Sequence, residues 1–114
     1  MSHLSILPTV LRDVDLLVAS LEGLGLQPQR GGQLRGFADE RQPVELQVRL
    51  EGGQRLGWCR QRDGSLALVG DLQRISRSQA LQALISRITR RYAAAQALAD
   101  VARQVPGAQV TLSL

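Results

Sequence analysis

The chain has 114 residues, of which 44% are hydrophobic and 21% charged, and its formal net charge is +4. This size and composition are typical of one globular domain, so we expect residues 1–114 to form a single domain. The lone cysteine excludes an internal disulfide and a cysteine metal cluster. No stretch reaches the roughly 18 continuous apolar residues of a membrane span, and the start lacks a signal-peptide pattern. These features predict a cytoplasmic protein.

The first part of the chain predicts a strand, a helix and two short strands. Residues 3–11 alternate loosely between polar and apolar side chains, which is typical of a strand. Asp13 is a good N-cap, and the apolar residues after it recur at helical spacing until Gly23. Within residues 26–43, the pair Gly31–Gly32 predicts a hairpin turn between two short strands.

The second part predicts three strands, a long helix and a last strand. Alternation is clearest in "VELQVRL", where every second residue is apolar, and two further strands follow it after tight turns. Ser76 followed by Gln79 fits a capping box and predicts a helix over 76–104. The predicted strands are 44–50, 54–61, 65–72 and 108–114. The predicted fold is α+β: an antiparallel sheet of five to six strands with two helices on one face, in the order β-α-β-β-β-β-α-β.

The long helix carries an apolar stripe and an arginine rim. Arg90 lies far from the stripe, whereas Arg87 and Arg91 flank it on one side. One interpretation is that the stripe is core and the arginines are its solvated border. The other is that Arg87, Arg90 and Arg91 contact an anionic partner, because guanidinium groups pair well with carboxylates and phosphates. The stripe residues are Leu81, Leu84, Ile85, Ile88, Tyr92, Ala95, Ala99 and Ala102.

Four kinds of partner remain open at this stage. An acidic protein partner suits the arginine rim best. Nucleic-acid binding is weakened because only three aromatic residues are present and no helix-turn-helix or zinc-finger spacing occurs. A small ligand would fit an apolar pocket between the long helix and the sheet. An exposed sheet edge would also allow two copies to pair as a homo-oligomer.

The sequence offers no constellation for catalysis. His3 is the only histidine, so no nucleophile–base pair is supported. The segment "GGQLRG" lacks the lysine and hydroxyl residue of a phosphate loop and indicates a turn instead. Cys59, beside Trp58 in a predicted strand, is interpreted as a small core residue. We therefore expect a protein that is not an enzyme, with no cofactor and no metal.

Four segments carry a resemblance to a known family. They are the start "MSHLSILPTVLRDVDLLVASLEGLG", the middle segments "LRGF" and "LVGDL", and the late "ITRRYAAAQALADVARQ". In these segments the chain resembles the small protein of cyanobacteria and red-algal plastids known as hypothetical chloroplast open reading frame thirty-five. That family usually carries more aromatic residues, and a histidine soon after the tyrosine, where this chain has "AAAQ" after Tyr92.

The resemblance implies a place in the cyanobacterial cytoplasm or the plastid stroma, and it implies no activity. It also draws attention to the Met1-Ser2-His3 start and to the Arg91–Tyr92 pair. If the first strand packs beside the long helix, His3 lies near Arg91 and Tyr92. The expected function is that of a non-catalytic binding or assembly protein of a photosynthetic cell. Its expected contact residues are Arg87, Arg90, Arg91, Tyr92 and His3.

Overall fold

The computed structural model describes residues 3–104, apart from the side chain of Leu72. Seven strands and three helices follow one another along this part of the chain. The elements are β1 (Ser5–Leu7), α1 (Val14–Gly23), β2 (Pro28–Arg30), β3 (Gln33–Arg35), β4 (Arg41–Pro43), β5 (Leu46–Arg49), β6 (Arg55–Arg60), β7 (Leu66–Gly70), α2 (Leu72–Arg77) and α3 (Gln79–Gln104). The predicted last strand, 108–114, lies outside the described residues.

Five strands form one antiparallel sheet in the order β1-β7-β6-β5-β2, and β3 pairs with β4 in a separate two-stranded hairpin. Every described strand pair is antiparallel. Short turns connect the pairs β3–β4, β5–β6 and β6–β7, whereas β1–β7 and β2–β5 pair strands that are distant in the sequence. Leu46 pairs with Trp58 and Trp58 with Leu68, so these side chains form one row across the sheet. The predicted α+β class with an antiparallel sheet is confirmed.

The face of the sheet that carries this row packs against the helices and forms the main core. Leu17 and Leu21 of α1 are fully buried there, and Ile88 and Tyr92 of α3 are each 2% exposed. Ile75 of α2 belongs to the same core. The apolar stripe predicted for the long helix is therefore core in its first half, as the period of 3.6 residues requires.

The opposite face of the sheet is covered by the β3–β4 hairpin. A second, smaller core lies between them, built from Leu34, Val44, Cys59, Ala67 and Val69. Because both faces of the sheet are covered, all five residues of β7 are buried and the strand does not alternate. Cys59 is 6% exposed within this second core, as predicted for a small core residue.

The ends of α1 follow the predicted signals. The Asp13 carboxylate accepts hydrogen bonds from the backbone N–H groups of Asp15 (2.9 Å) and Leu16 (3.2 Å), which would otherwise lack partners at the helix start. The helix ends at Gly23, and Gly25 then adopts a φ of 82° that favours glycine. Both predicted boundaries are confirmed.

The capping box predicted at Ser76 and Gln79 is wrong. Ser78 takes an extended conformation (φ −114°, ψ 110°) and separates α2 from α3. The Ser78 hydroxyl accepts from the Leu81 backbone N–H at 3.2 Å, so Ser78 caps the long helix. A break of a single residue does not disturb the apolar pattern, which explains why the sequence predicted one helix from 76.

The hairpin turn predicted at Gly31–Gly32 is also wrong. These residues (φ 75° and 87°) carry the chain from β2, in the main sheet, to β3, in the hairpin on its other face. The hairpin turns later, where the Gly36 N–H donates to the Glu40 carbonyl and Ala38 adopts a φ of 57°. Six strands therefore separate α1 from α2, whereas the predicted order had four and the segments named one by one were five. Strands of three residues are too short to show an alternating pattern.

Candidate anion-binding surfaces

Two predicted contact residues, Arg87 and Arg90, lie exposed on α3. They point away from the sheet because Ile88 and Tyr92 occupy the buried face of the helix. From residue 79 to residue 99 the helix carries three arginines and no acidic residue. The ion pairs within residues 3–104 are Arg30–Asp15 and Arg103–Asp100, so neither Arg87 nor Arg90 is neutralised there.

Arg91 is directed differently from its two neighbours. It is half-buried, and its guanidinium group lies over Gly23 at the end of α1. A Cβ atom built on Gly23 would lie 2.6 Å from Nη2 and 2.7 Å from Cζ of Arg91, so a larger residue at position 23 would require the guanidinium group to move. A cation at the C-terminal end of a helix is favourable because the last carbonyl groups carry partial negative charge. Arg91 therefore stabilises the contact between α1 and α3.

Tyr92 is buried and joins the two helices. Its hydroxyl oxygen accepts hydrogen bonds from the backbone N–H groups of Arg12 (3.1 Å) and Asp13 (2.9 Å), just before α1 begins. With 2% of its surface exposed, Tyr92 is not part of the outer surface. Tyr92 was predicted to contact a partner, but in the structure its buried side chain joins α3 to the start of α1.

Hydrogen bonds also hold the segment before α1 against the β6–β7 turn. The Arg12 guanidinium donates to the Asp63 carbonyl, and Arg60 donates to the carbonyls of Arg12 and Gly64, each at 2.7 Å. The Asp63 carboxylate in turn accepts from the Ser65 hydroxyl (2.6 Å) and backbone N–H (2.9 Å). These bonds fix the two N–H groups that meet Tyr92.

Two hydrogen bonds from Ser65 hold the pKa of Asp63 below its ordinary value, and the bond from the hydroxyl has a larger effect than the bond from the backbone N–H. The positive charge of Arg12 also lowers this pKa. A carboxyl with a lowered folded pKa stabilises the fold above its ordinary pKa, and this contribution is lost as the pH falls through the folded pKa.

We expect Ser65→Ala to raise the pKa of Asp63 toward the ordinary value, as a carboxyl-carbon NMR titration would measure. Ser76→Ala, which removes a hydroxyl bonded to the Gln73 carbonyl, should leave that pKa unchanged. An unaltered Asp63 titration in the Ser65 variant would contradict the assignment.

His3 lies apart from the arginines of α3. Its ring meets Phe37 edge-on, with 5.4 Å between ring centroids, at the turn of the β3–β4 hairpin. That hairpin covers the face of the sheet opposite to α3. The grouping of His3 with Arg91 and Tyr92 that the resemblance suggested is therefore not found, because strand β1 lies at the sheet edge and leads His3 to the other face.

A groove that the sequence did not predict lies at one end of the main sheet. Its cavity volume is about 580 Å³, and it opens between the β5–β6 turn, β3 and α2. The floor joins the two cores: Leu34 comes from the second core, whereas Leu56, Ile75 and Leu81 come from the main core. The expected pocket lay between the long helix and the sheet, but Leu81 is the one residue of α3 in this lining.

The rim of the groove is basic. Arg35 of β3, Arg55 of β6 and Arg74 of α2 all line it and are exposed, together with one acidic residue, Asp71. These arginines are 19 or more residues apart in the sequence. No local pattern could have grouped them, because only the folding of the hairpin onto the back of the sheet brings β3 beside β6.

No helix within residues 3–104 is long and apolar enough to cross a bilayer. The same residues hold no group of three or more histidine, cysteine, aspartate or glutamate side chains arranged to bind a metal ion.

The fold and surface together define a small α+β domain whose basic side chains, apart from His3, are all arginines. The chain belongs to the family described as protein of unknown function (DUF1257), whose family model matches residues 20–111. Comparison with curated proteins gives no match, and comparison with solved structures gives none either.

Proposed function

We propose that this chain is a non-catalytic binding or assembly protein that contacts an acidic protein partner through Arg87 and Arg90. The observation that carries the proposal is the exposure of two unneutralised arginines on a rigid helix with no acidic residue between 79 and 99. Arginine forms planar, bidentate pairs with carboxylates. A helix buried on its other side holds both groups at a fixed spacing, which lowers the entropy lost on binding.

The non-catalytic part of the proposal rests on the lone histidine. His3 contacts an aromatic ring at 5.4 Å between centroids, and it is the only histidine in the sequence. The cellular setting rests on the resemblance of the chain start and of the segment around Tyr92. On that basis we propose the cytoplasm of a cyanobacterium or the stroma of a plastid.

The proposal is tested by affinity capture from a native lysate of the source cells. We expect the wild-type chain to retain a partner that Arg87→Glu/Arg90→Glu loses by about tenfold or more, because reversed charges would face carboxylates across the interface. The matched control is Arg41→Glu/Arg62→Glu, which changes the net charge equally at two exposed positions elsewhere. Retention of every partner by the α3 double variant would overturn the proposal, and so would an equal loss in the control.

Sequence-independent binding to nucleic acid is the second candidate, supported by the same exposed arginines. It predicts capture that disappears after nuclease treatment and an affinity that falls steeply with salt. An acidic protein partner predicts capture that survives nuclease. The two readouts come from one lysate, so the same experiment distinguishes both functions.

A further inference from the structure

We propose that the groove at the end of the sheet binds a small amphipathic anion, namely a free molecule with a phosphate or carboxylate head and an apolar body. This site is separate from the arginines of α3 and does not depend on the function proposed for them. Its volume of about 580 Å³ falls within the roughly 300–1,000 Å³ typical of small-molecule sites.

The charge of the groove selects the head group. Three guanidinium groups and one carboxylate line it, and none of the three arginines belongs to an ion pair within residues 3–104. The Asp71 carboxylate already accepts from the Arg74 backbone N–H at 3.3 Å, as the N-cap of α2. An anion therefore meets a surplus of positive charge, supplied by the side chain best suited to planar pairing with phosphate or carboxylate.

Arg55 is oriented before any ligand arrives. Its Nη1 donates to the side-chain oxygen of Gln47 at 2.7 Å, and the Gln47 amide donates to the Gly31 carbonyl at 2.9 Å. Gln47 is only 3% exposed, so its position is fixed by packing as well as by these two bonds. Four N–H groups of Arg55 remain to donate to an anion. Binding an anion there costs little conformational entropy, because the Arg55 side chain is already held in place.

The floor of the groove selects the apolar body. Leu34, Leu56, Ile75 and Leu81 each have less than 8% of their surface exposed, so the apolar surface is recessed below the arginines. A ligand must reach down past the rim to cover it. A membrane surface would instead require protruding apolar or aromatic anchors beside the arginines. A free molecule with a short apolar chain fits this depth.

The test is an amide NMR titration of the full chain at low salt with octyl phosphate and with octanoate. We expect binding at about 1 mM or tighter, with the largest shifts in residues 33–35, 53–56 and 71–75. Octyl glucoside, which lacks charge, and inorganic phosphate, which lacks the chain, should each bind about tenfold more weakly. Vesicles of anionic phosphatidylglycerol should not bind through the groove.

Variants assign the binding to named side chains. Arg55→Gln and Arg74→Gln should each weaken octyl phosphate by about tenfold, because each removes a charged hydrogen-bond donor. Arg87→Gln/Arg90→Gln should leave it unchanged, so this proposal and the α3 proposal can fail separately. Equal binding of octyl glucoside would overturn the inference. Shifts confined to other residues, unchanged affinity in both groove variants, or binding to vesicles alone would also overturn it.

Discussion

Tyr92→Phe is expected to lower the free energy of unfolding by about 2–3 kcal/mol, although it removes a single oxygen atom. The backbone N–H groups of Arg12 and Asp13 both donate to that oxygen, at 3.1 and 2.9 Å. Phenylalanine fills the same space and offers neither N–H group an acceptor. Urea unfolding, followed by circular dichroism, would measure the change.

Thr89→Val is the control for Tyr92→Phe. The Thr89 hydroxyl lies one turn earlier on α3, is exposed, and donates to the Ile85 carbonyl at 3.0 Å. Its removal should change the unfolding free energy by less than about 0.5 kcal/mol. If Tyr92→Phe proved as mild as Thr89→Val, the hydroxyl would not be holding the start of α1.

Gly57→Val is expected to lower the free energy of unfolding by about 2 kcal/mol by forcing the hairpin away from the sheet. A Cβ atom at Gly57 would lie 2.8 Å from Cγ1 of Val44 and 2.9 Å from Cδ1 of Leu34, both in the second core. The strand propensity of valine exceeds that of glycine by up to about 1 kcal/mol, but overpacking a filled core costs more than that. Thermal and urea unfolding would measure the net loss.

A double-mutant cycle separates crowding from other effects of the Gly57 change. Leu34→Ala removes the Leu34 atoms that a new Cβ would strike and leaves those of Val44, so Gly57→Ala should cost about 1 kcal/mol less in that background. Leu21→Ala, in the main core on the opposite face, should combine additively with Gly57→Ala within about 0.5 kcal/mol. Additive behaviour with Leu34→Ala would rule out a clash between the new Cβ and Leu34.

The sequence predicted the elements whose signals are local. The apolar positions of residues 44–50, the Asp13 cap and the stripe from Leu81 to Tyr92 each depend on spacing within one segment, and each is found in the structure. The four apolar residues of this segment are all buried, although Val44 belongs to the second core and Leu46 to the main one. Local spacing reports which residues are buried, but not which core receives them.

Features that depend on contacts between distant segments were not predictable. Gln47 alternated as a polar, outward residue, yet it is 3% exposed because the hairpin covers its face of the sheet. The guanidinium group of Arg91 lies over Gly23, which is 68 residues away in the sequence. The groove needs three arginines from three elements, and a single sequence holds no spacing rule that would relate them.

The two outer strands of the main sheet limit how a second copy of the chain could pair with its edges. β1 and β2 have three residues each, and β2 begins with Pro28, which has no N–H to offer. Beside β1, the Leu4 N–H is already taken by the Glu40 carboxylate at 2.8 Å. Such short edge strands offer a second chain few backbone groups to pair with, which disfavours aggregation through added strands. We therefore expect a strand added beside β1 or β2 to gain few backbone hydrogen bonds.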